Sequence, residues 1–299
     1  MIQRSDPRIA SAENSANVAY LSERDTARRS IPNRRREIEP FADPARVRQN
    51  RSAPMPFPVA ILAAGRGNRL SPLTDDRPKC LLSVGEASPL SLALDAIERI
   101  ASVSEVVIVV GHARERIESF VARRTARLPI RLLDNPHFDT ANNIYSARLL
   151  RSSCGEGFLL VNSDVICHPD IFRAATAERA ESFLLVDPQR PPRDEAMKVR
   201  FVNGRLAEIA KTLAPATADG EYIGITRFDG LGARAFFDSI ETILASGGSD
   251  EWYEAAIGLA AGRVRFGRMS IGELPWIEID DHADLERAQT EILPKILGS

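Results

Sequence analysis

The sequence of 299 residues predicts an α/β fold with a doubly wound, mostly parallel sheet and an inserted β-hairpin lobe. From Val59 onward, short apolar runs alternate with segments of helical period, which is the rhythm of βαβ units. Runs such as Val106–Val110 are continuously apolar, as in strands that helices cover on both faces. Such sheets bind ligands at the carboxyl ends of their strands, so functional residues are expected there.

The first half of the chain follows this rhythm closely. Ser88 precedes Pro89, and a hydroxyl cap followed by proline in the first turn is typical of a helix start. We predict strands at Val59–Ala63, Val106–Val110, Ile130–Leu133, Phe158–Val161 and Phe183–Val186, and helices at Ser88–Ile100 and Arg114–Arg127.

The second half departs from the rhythm at a hairpin. Its turn is Asn203-Gly204, the pair that suits a two-residue connection between antiparallel strands. We predict hairpin strands at Met197–Val202 and Arg205–Ile209, further strands at Tyr222–Phe228 and Val264–Met269, and helices at Ala233–Ala245, Glu251–Ala261 and from Asp284 onward. Without an internal repeat or a low-complexity linker, residues 56–299 are interpreted as one domain.

Residues 1–55 have a different composition. Eleven arginines against seven acidic residues give this segment a charge of +4, and its apolar residues are sparse and without period. Such a segment cannot bury enough surface to offset its ordering entropy, so we predict a disordered, solvated basic tail. Two alternatives stay open: the cluster Arg34–Arg36 could be an arm for nucleic acid or lipid, and Met55 could be the true start.

Composition excludes several functional classes. The formal net charge of −2 argues against a general nucleic-acid binder. No apolar run approaches the ~18 residues of a membrane span. The three cysteines are scattered without CxxC spacing, which favours neither a disulfide framework nor a zinc site and fits a reducing cytoplasm.

The strongest motif follows the first predicted strand. A strand that runs into a glycine-containing loop presents backbone N–H groups to a phosphate, and nearby cations complete the site. The predicted nucleotide-binding residues are Leu62, Ala63, Ala64, Gly65 and Gly67, and the predicted catalytic cations are Arg69 and Lys79. Asn68 after Gly67 excludes a Walker loop, and Leu70 stands where the dinucleotide fingerprint needs its third glycine.

Segment 60–79 resembles the signature of nucleotidyltransferases that make NDP-activated metabolites, namely sugar-1-phosphate nucleotidylyltransferases and small-molecule cytidylyltransferases. The resemblance covers about residues 57–293. It implies a Rossmann-like nucleotidyltransferase fold in which the loop wraps a triphosphate. It also implies that Arg69 and Lys79 neutralise the triphosphate charge.

Carboxylates at two strand ends predict a magnesium site. Asp164 follows the strand at Phe158–Val161, at the position where the family carries its first metal aspartate. Glu278 and Asp280 are two apart on an extended stretch, so both point to one face. The resemblance implies that this face meets Mg²⁺ opposite Asp164, and Asp281 is expected to cap the following helix.

Four lysines stand out among 39 basic residues, since all the others are arginines. A compact ammonium and a planar guanidinium are not interchangeable at a phosphate. We therefore predict phosphate contact for Lys79 and Lys198, both as catalytic residues, and for Lys211 as an acceptor-binding residue. A solvated role stays open for Lys198 and Lys211, and Lys295 is interpreted as a surface residue.

Besides Glu221–Ile225, two further segments resemble the small cytidylyltransferases. The first is Asn142–Ser146, where Asn143 and Ser146 are candidates to read the base, although an asparagine there could equally cap a helix. The second is Glu251–Glu254, where Tyr253 and Glu254 are candidates to bind a cationic acceptor, although aromatic residues at this spacing also suit a core.

Together these motifs predict an enzyme that transfers CMP from CTP to a small phosphorylated or phosphonate acceptor, of the phosphocholine or 2-aminoethylphosphonate kind, with release of pyrophosphate. Mg²⁺ is the expected cofactor. A sugar-1-phosphate uridylyl-, guanylyl- or thymidylyltransferase is one alternative, and a non-catalytic nucleotide-binding sensor or assembly protein is another. No nucleic acid or membrane partner is expected, a homodimer is compatible with the sequence, and the four histidines receive no role.

Overall fold

The computed structural model describes residues 56–177 and 181–298. The predicted basic tail, including Met55, lies outside these residues, so its interpretation stays a prediction. Within the described ranges the predicted α/β architecture with a mostly parallel sheet is confirmed. None of the described helices combines the length and the apolar character needed to cross a membrane.

Nine strands of the described chain match the predicted runs to within a few residues, and two short strands, at Val165–Cys167 and Trp276–Glu278, are added, the second where the sequence predicted an extended stretch. In chain order the strands are β1 Phe57–Ala63, β2 Val103–Val110, β3 Ile130–Asp134, β4 Phe158–Asn162, β5 Val165–Cys167, β6 Ser182–Asp187, β7 Lys198–Val202, β8 Arg205–Ala210, β9 Gly220–Phe228, β10 Phe266–Ser270 and β11 Trp276–Glu278.

The central sheet has the strand order β10-β6-β9-β4-β1-β2-β3. β1 pairs in parallel with β2 and β4, and β3 and β10 each run parallel to their neighbours. β9 is the exception, because it lies antiparallel between β4 and β6. Leu62 at the end of β1 pairs with Asn162 at the end of β4, so the loops after these two strands leave the sheet side by side.

The helices are α1 Pro89–Ile97, α2 Arg114–Arg123, α3 Asn143–Leu149, α4 Arg151–Cys154, α5 Pro169–Thr176, α6 Gly230–Ala245, α7 Tyr253–Ala261, α8 His282–Arg287 and α9 Leu293–Leu297, with a π-helical turn at Ala288–Ile292 and 3₁₀ turns at Asn68–Leu70, Lys79–Leu81 and Pro215–Thr217. Ser88 caps α1 as predicted, because its hydroxyl accepts a hydrogen bond from the backbone of Ser91 while Pro89 occupies the first turn.

Two hydrophobic cores cover the two faces of the sheet. Val59 and Ile61 of β1 face one core, which they share with residues of α1 and α5. Ala60 and Leu62 point the other way, into a core with residues of α3, α6 and α7. Successive strand residues point to opposite faces, so a strand between two cores must be apolar at every position. This explains the continuous apolar runs in the sequence.

The predicted hairpin forms β7 and β8. Asn203 and Gly204 both have positive φ, of 51° and 70°, which a two-residue turn of the I′ type requires. β7 also pairs with β9, with Lys198 opposite Glu221. The hairpin is therefore attached to the central sheet beside the antiparallel strand.

A second, two-stranded sheet forms from β5 and β11. The strands run antiparallel and pair Glu278 with Val165, the residue after Asp164. The sequence analysis did not predict β5, because three residues are too few to show a period. This small sheet brings the chain near residue 278 beside the end of β4.

Candidate active site

A cavity of about 720 Å³ opens at the carboxyl ends of β1 and β4. Its wall combines the glycine loop after β1, the start of α3, the start of α7 and the segment after β11. All of the predicted nucleotide-binding residues line it, namely Leu62, Ala63, Ala64, Gly65, Gly67, Asn143 and Ser146. The predicted residues Arg69, Lys79, Lys211 and Glu254 line it too, as do the three predicted metal ligands.

The glycine loop turns at Gly67, whose φ of 68° lies in the left-handed region. A side chain there would be strained, and its Cβ would lie 3.2 Å from Cβ of Lys79. Thr74 braces the turn because its hydroxyl donates to the carbonyl of Gly67 at 2.9 Å. His112 in turn donates from Nε2 to the carbonyl of Thr74 at 2.7 Å. His112, to which the sequence gave no role, therefore helps to hold this loop.

Lys79 lies between two carboxylates. Its Nζ is 2.6 Å from Oδ2 of Asp164 and 3.3 Å from Oδ1 of Asp280. Burial disfavours the charged form, but attraction to Asp164 and Asp280 outweighs it and raises the pKa of Lys79 above its usual value. Lys79 is therefore a fixed positive charge at the foot of the glycine loop.

Arg69 contacts one of these two carboxylates, that of Asp280. Its guanidinium is 2.8 Å from Oδ1 of Asp280 and 3.8 Å from Oε2 of Glu195. Burial of Asp280 would raise the pKa of its carboxyl, but Lys79 and Arg69 reverse the direction and hold that pKa below its usual value. Asp280 therefore stays ionised.

The three predicted metal ligands converge. One carboxylate oxygen each of Asp164, Glu278 and Asp280 lies within 4.8 Å of the other two. The small sheet of β5 and β11 causes this approach, and the backbone N–H of Ile279 donates to the carbonyl of Asp164 at 3.1 Å. Asp281 instead caps α8 as predicted, accepting a hydrogen bond from the backbone N–H of Asp284.

The donor set fits a divalent cation. Oδ1 of Asp164 is buried and has no hydrogen-bond partner within the described part of the chain. Burial raises the pKa of Glu278 well above its usual value, and repulsion from Asp164 and Asp280 adds to this. Oxygen ligands from carboxylates are what Mg²⁺ prefers, and a bound cation would relieve this repulsion.

A different arrangement lies around Trp252. The ammonium of Lys211 is 4.4 Å from the centroid of the Trp252 ring, a cation–π contact. Glu254 nearby is 4% exposed, and its Oε2 has no hydrogen-bond partner among the described residues. Burial raises the pKa of Glu254 to about 7. A buried carboxylate oxygen without a hydrogen-bond partner leaves room for a cationic ligand group.

Tyr253 is fully buried and does not line the cavity. Its hydroxyl lies 3.0 Å from that of Tyr222 and donates to Oδ1 of Asn162 at 3.0 Å. Asn162 and Tyr222 do line the cavity, and neither was among the predicted site residues. Tyr253 therefore lies behind the cavity wall, where its hydroxyl orients Asn162. From this position it cannot make the predicted direct contact with an acceptor.

The two candidate base-reading residues are held from behind. Oδ1 of Asn143 accepts from the backbone N–H of Tyr253 at 2.8 Å, which links the start of α3 to the start of α7. The hydroxyl of Ser146 accepts from the side-chain amide of Asn135 at 2.9 Å. The helix cap that the sequence left open belongs to Asn142, whose side chain accepts from the backbone N–H of Asn143.

Lys198 is the predicted catalytic residue that the structure places elsewhere. Its side chain is fully buried, is not part of the cavity wall, and donates to the backbone carbonyls of residues 193, 194 and 196. The sequence could not reveal this, because carbonyl partners leave no trace in the pattern of side chains. The loop that Lys198 contacts instead contributes Arg193 and Glu195 to the cavity, two residues that the sequence analysis did not select.

Comparison with known proteins agrees with this geometry. Residues 59–194 match the family model described as Nucleotidyl transferase. The match covers the glycine loop, Lys79 and Asp164. Glu278 and Asp280 lie beyond it. The predicted resemblance is confirmed.

Two curated relatives match most of this chain. The CMP-5'-(3-aminopropyl)phosphonate synthase of Streptomyces rubellomurinus is 29% identical over 265 residues, which cover 80% of this chain and 39% of that protein. The bifunctional IPC transferase and DIPP synthase of Rubrobacter xylanophilus is 27% identical over 242 residues, covering 79% of this chain and 52% of that protein. The chain thus spans between two fifths and about half of the length of these relatives.

A solved structure shares the fold. The CTP:phosphocholine cytidylyltransferase of Streptococcus pneumoniae superimposes with a TM-score of 0.65 at 20% identity, covering 79% of this chain and 99% of that one. At this identity the likeness establishes the fold alone. The fold is therefore that of a nucleotidyltransferase, as the sequence predicted.

Proposed function

We propose that this protein transfers CMP from CTP to a small phosphonate or phosphate acceptor and releases pyrophosphate. One observation carries the proposal: three carboxylates within 4.8 Å of one another lie beside a glycine loop, and Lys79 and Arg69 contact two of them, Asp164 and Asp280. A triphosphate with its cation needs this combination of backbone donors, fixed cations and carboxylates in one cavity.

Mg²⁺ is the proposed cofactor, and Asp164, Glu278 and Asp280 would hold it. When bound, it neutralises charge on the triphosphate and polarises the phosphoryl group under attack. The proposal is supported by the unpartnered Oδ1 of Asp164 and by the repulsion that raises the pKa of Glu278. Carboxylates that no cation neutralised would destabilise one another at this distance.

The reaction is a single in-line displacement. An anionic oxygen of the acceptor bonds to the α-phosphorus of CTP while the bond from that phosphorus to the bridging oxygen breaks, and pyrophosphate leaves with the electron pair. Because the acceptor oxygen is already ionised at neutral pH, no residue has to remove a proton. Lys79 and Arg69 supply charge stabilisation and the glycine loop supplies positioning.

The acceptor is proposed to carry an ammonium group. The support is Glu254, a buried carboxylate with an unpartnered oxygen on the cavity wall, together with the exposed ring of Trp252. The relative from Streptomyces rubellomurinus fits this proposal, since it is a CMP-5'-(3-aminopropyl)phosphonate synthase. Lys211, which lies over the Trp252 ring, is proposed to contact the acceptor phosphate or phosphonate.

Location and assembly follow from fewer observations. The three cysteines are buried and free, which is consistent with the proposed reducing cytoplasm. The homodimer that the sequence allows stays a prediction, with size determination in solution as its measurement.

A panel of nucleoside triphosphates against a panel of acceptors tests the proposal. Pyrophosphate release should require CTP, a divalent cation and an acceptor such as 2-aminoethylphosphonate or phosphocholine, and mass spectrometry should find the CMP adduct. Turnover of UTP, GTP or dTTP with a sugar 1-phosphate would replace this proposal with the sugar-nucleotide alternative. Binding of CTP without turnover across all acceptors would favour a nucleotide sensor.

A further inference from the structure

Lys198, the first residue of β7, has all of its hydrogen-bonding capacity engaged inside the protein. Its ammonium donates to the carbonyls of Asp194 at 2.6 Å, Ala196 at 3.0 Å and Arg193 at 3.2 Å. An ammonium has three N–H groups, so none is left for a ligand. The side chain is 0% exposed.

This burial is tolerable only because the loop surrounds the charge. A buried ammonium costs free energy unless its donors are satisfied, and the three carbonyls satisfy them. Conversely, carbonyl dipoles that converge on one point repel one another unless a cation lies between them. Lys198 and the loop therefore stabilise each other's conformation.

The loop in question, residues 188–197, is here named the wall loop. It contributes Arg193, Glu195, Ala196 and Met197 to the cavity wall. The guanidinium of Arg193 is 3.2 Å from Oδ1 of Asp284, and Oδ2 of Asp284 accepts from the backbone N–H of Asp280 at 3.2 Å. The wall loop is thus connected through two contacts to the backbone of a predicted metal ligand.

We propose that Lys198 is a positioning residue, whose ammonium holds the wall loop so that Arg193 and Asp284 in turn fix the position of Asp280. Lys198 acts on ligand binding without touching a ligand. Only the identity of the substrates used in the kinetic test rests on the proposed function.

Positioning and phosphate contact have opposite consequences when the ammonium is removed. A residue that contacts the reacting phosphate lowers kcat when it is removed and leaves the wall loop in place. Removal of a residue that holds the loop loosens the loop and weakens ligand binding. KM then rises more than kcat falls.

Limited proteolysis measures the loop directly. Arg193 is exposed, but a protease needs the surrounding chain extended, so trypsin should cleave after Arg193 faster when the wall loop opens, and mass spectrometry identifies the new amino terminus at Asp194. Lys198→Met should accelerate this cleavage by about tenfold, whereas the matched control Lys295→Met, at an exposed lysine, should not change it. An unchanged rate in Lys198→Met would overturn the proposal.

A second variant covers the case in which Lys198→Met does not fold, as judged by the loss of a cooperative thermal transition. Lys198→Arg keeps the charge, but a planar guanidinium cannot direct three donors at one point. Cleavage after Arg193 should then be about threefold faster than in wild type. A wild-type cleavage rate in this variant would contradict the positioning role.

Kinetics supply the remaining evidence. In Lys198→Met the KM for CTP in the presence of a divalent cation should rise by about tenfold while kcat changes by less than about threefold, because Asp280 is a proposed ligand of that cation. A fall in kcat of about a hundredfold with unchanged KM and an intact wall loop would instead assign Lys198 to phosphate contact. Proteolysis needs no substrate, so wild-type protein inactive with CTP would sink the proposed function and leave the test of the loop intact.

Discussion

The two sides of the cavity treat charge differently. On the metal side, formed by Asp164, Glu278, Asp280, Arg69 and Lys79, cations and carboxylates already contact one another at distances as short as 2.6 Å. On the aromatic side, formed by Lys211, Tyr222, Trp252 and Glu254, a buried carboxylate oxygen has no hydrogen-bond partner within the described chain.

The two sides therefore differ in the charge that they present to a ligand. On the metal side, Lys79 and Arg69 hold the pKa of Asp280 below its usual value, whereas burial and repulsion from Asp164 and Asp280 raise the pKa of Glu278. The aromatic side keeps a carboxyl whose pKa of about 7 lies in the physiological range. Its charge is therefore set by pH and by the ligand.

The largest expected effect is at the centre of the metal side. Lys79→Ala removes the ammonium that contacts Asp164 and Asp280, and with it the stabilisation of developing charge on the triphosphate. Pyrophosphate release should fall by about 10²–10³-fold with the circular dichroism spectrum unchanged. Lys295→Ala is the matched control, and near-normal turnover in Lys79→Ala would refute the role of Lys79.

A change of one metal ligand comes next. Asp164→Asn replaces a carboxylate by an amide, so the affinity for Mn²⁺, followed by electron paramagnetic resonance, should fall by at least about tenfold. Asp281→Asn is the matched control, because Asp281 caps α8 and an asparagine can cap as well. Equal weakening in both variants would mean that the cation does not bind at the proposed carboxylates.

On the aromatic side the expected effect depends on pH. Protonation of Glu254 below its pKa of about 7 removes the charge that attracts an acceptor ammonium. The KM for phosphocholine should therefore rise several-fold, up to about tenfold, as the pH falls from about 8 to about 6. Glu254→Gln should show a high KM that does not change over this pH range. The same pH profile of KM in both proteins would exclude Glu254 as the group whose protonation raises KM.

The same group links stability to pH. The carboxyl of Glu254 binds its proton more tightly in the folded protein than in the unfolded chain, where its pKa has the ordinary value of 4.5. Its contribution to the free energy of unfolding is thus complete below about pH 4.5 and is lost as the pH rises through about 7. Relative to Glu254→Gln, wild type should lose stability over this range in chemical denaturation. A constant difference would contradict the raised pKa.

The smallest expected effect lies behind the aromatic side. Tyr253→Phe removes the hydroxyl that donates to Asn162 and contacts the hydroxyl of Tyr222. The free energy of unfolding in urea should fall by about 1 kcal/mol. Combined with Tyr222→Phe the effects should be less than additive, because both changes break one shared hydrogen bond. Strict additivity would show that the two hydroxyls act independently.

Much of the fold was predictable because its signals are local. The cap by Ser88, the turn at Asn203-Gly204 and the continuous apolar strands each reflect chemistry among neighbouring residues. The residues of the metal side could also be predicted from the sequence. Its two cations belong to the glycine-loop motif, and its carboxylates stand at the ends of predicted strands or extended stretches. The residues of the aromatic side were harder to predict. Glu254 and Lys211 were selected from the sequence, but Asn162 and Tyr222 were not, because amide and aromatic side chains have no diagnostic spacing.

The sequence alone determined which residues carry charge and where strands and helices begin, because helix caps, turns and apolar periodicity act over a few residues. Only the tertiary structure decided where those charges point. It paired β5 with β11 so that Glu278 lies beside Asp164, and it turned the ammonium of Lys198 toward backbone carbonyls. The physical reason is that the direction and the burial of a side chain depend on elements distant in the chain, and so does the free-energy cost of its charge.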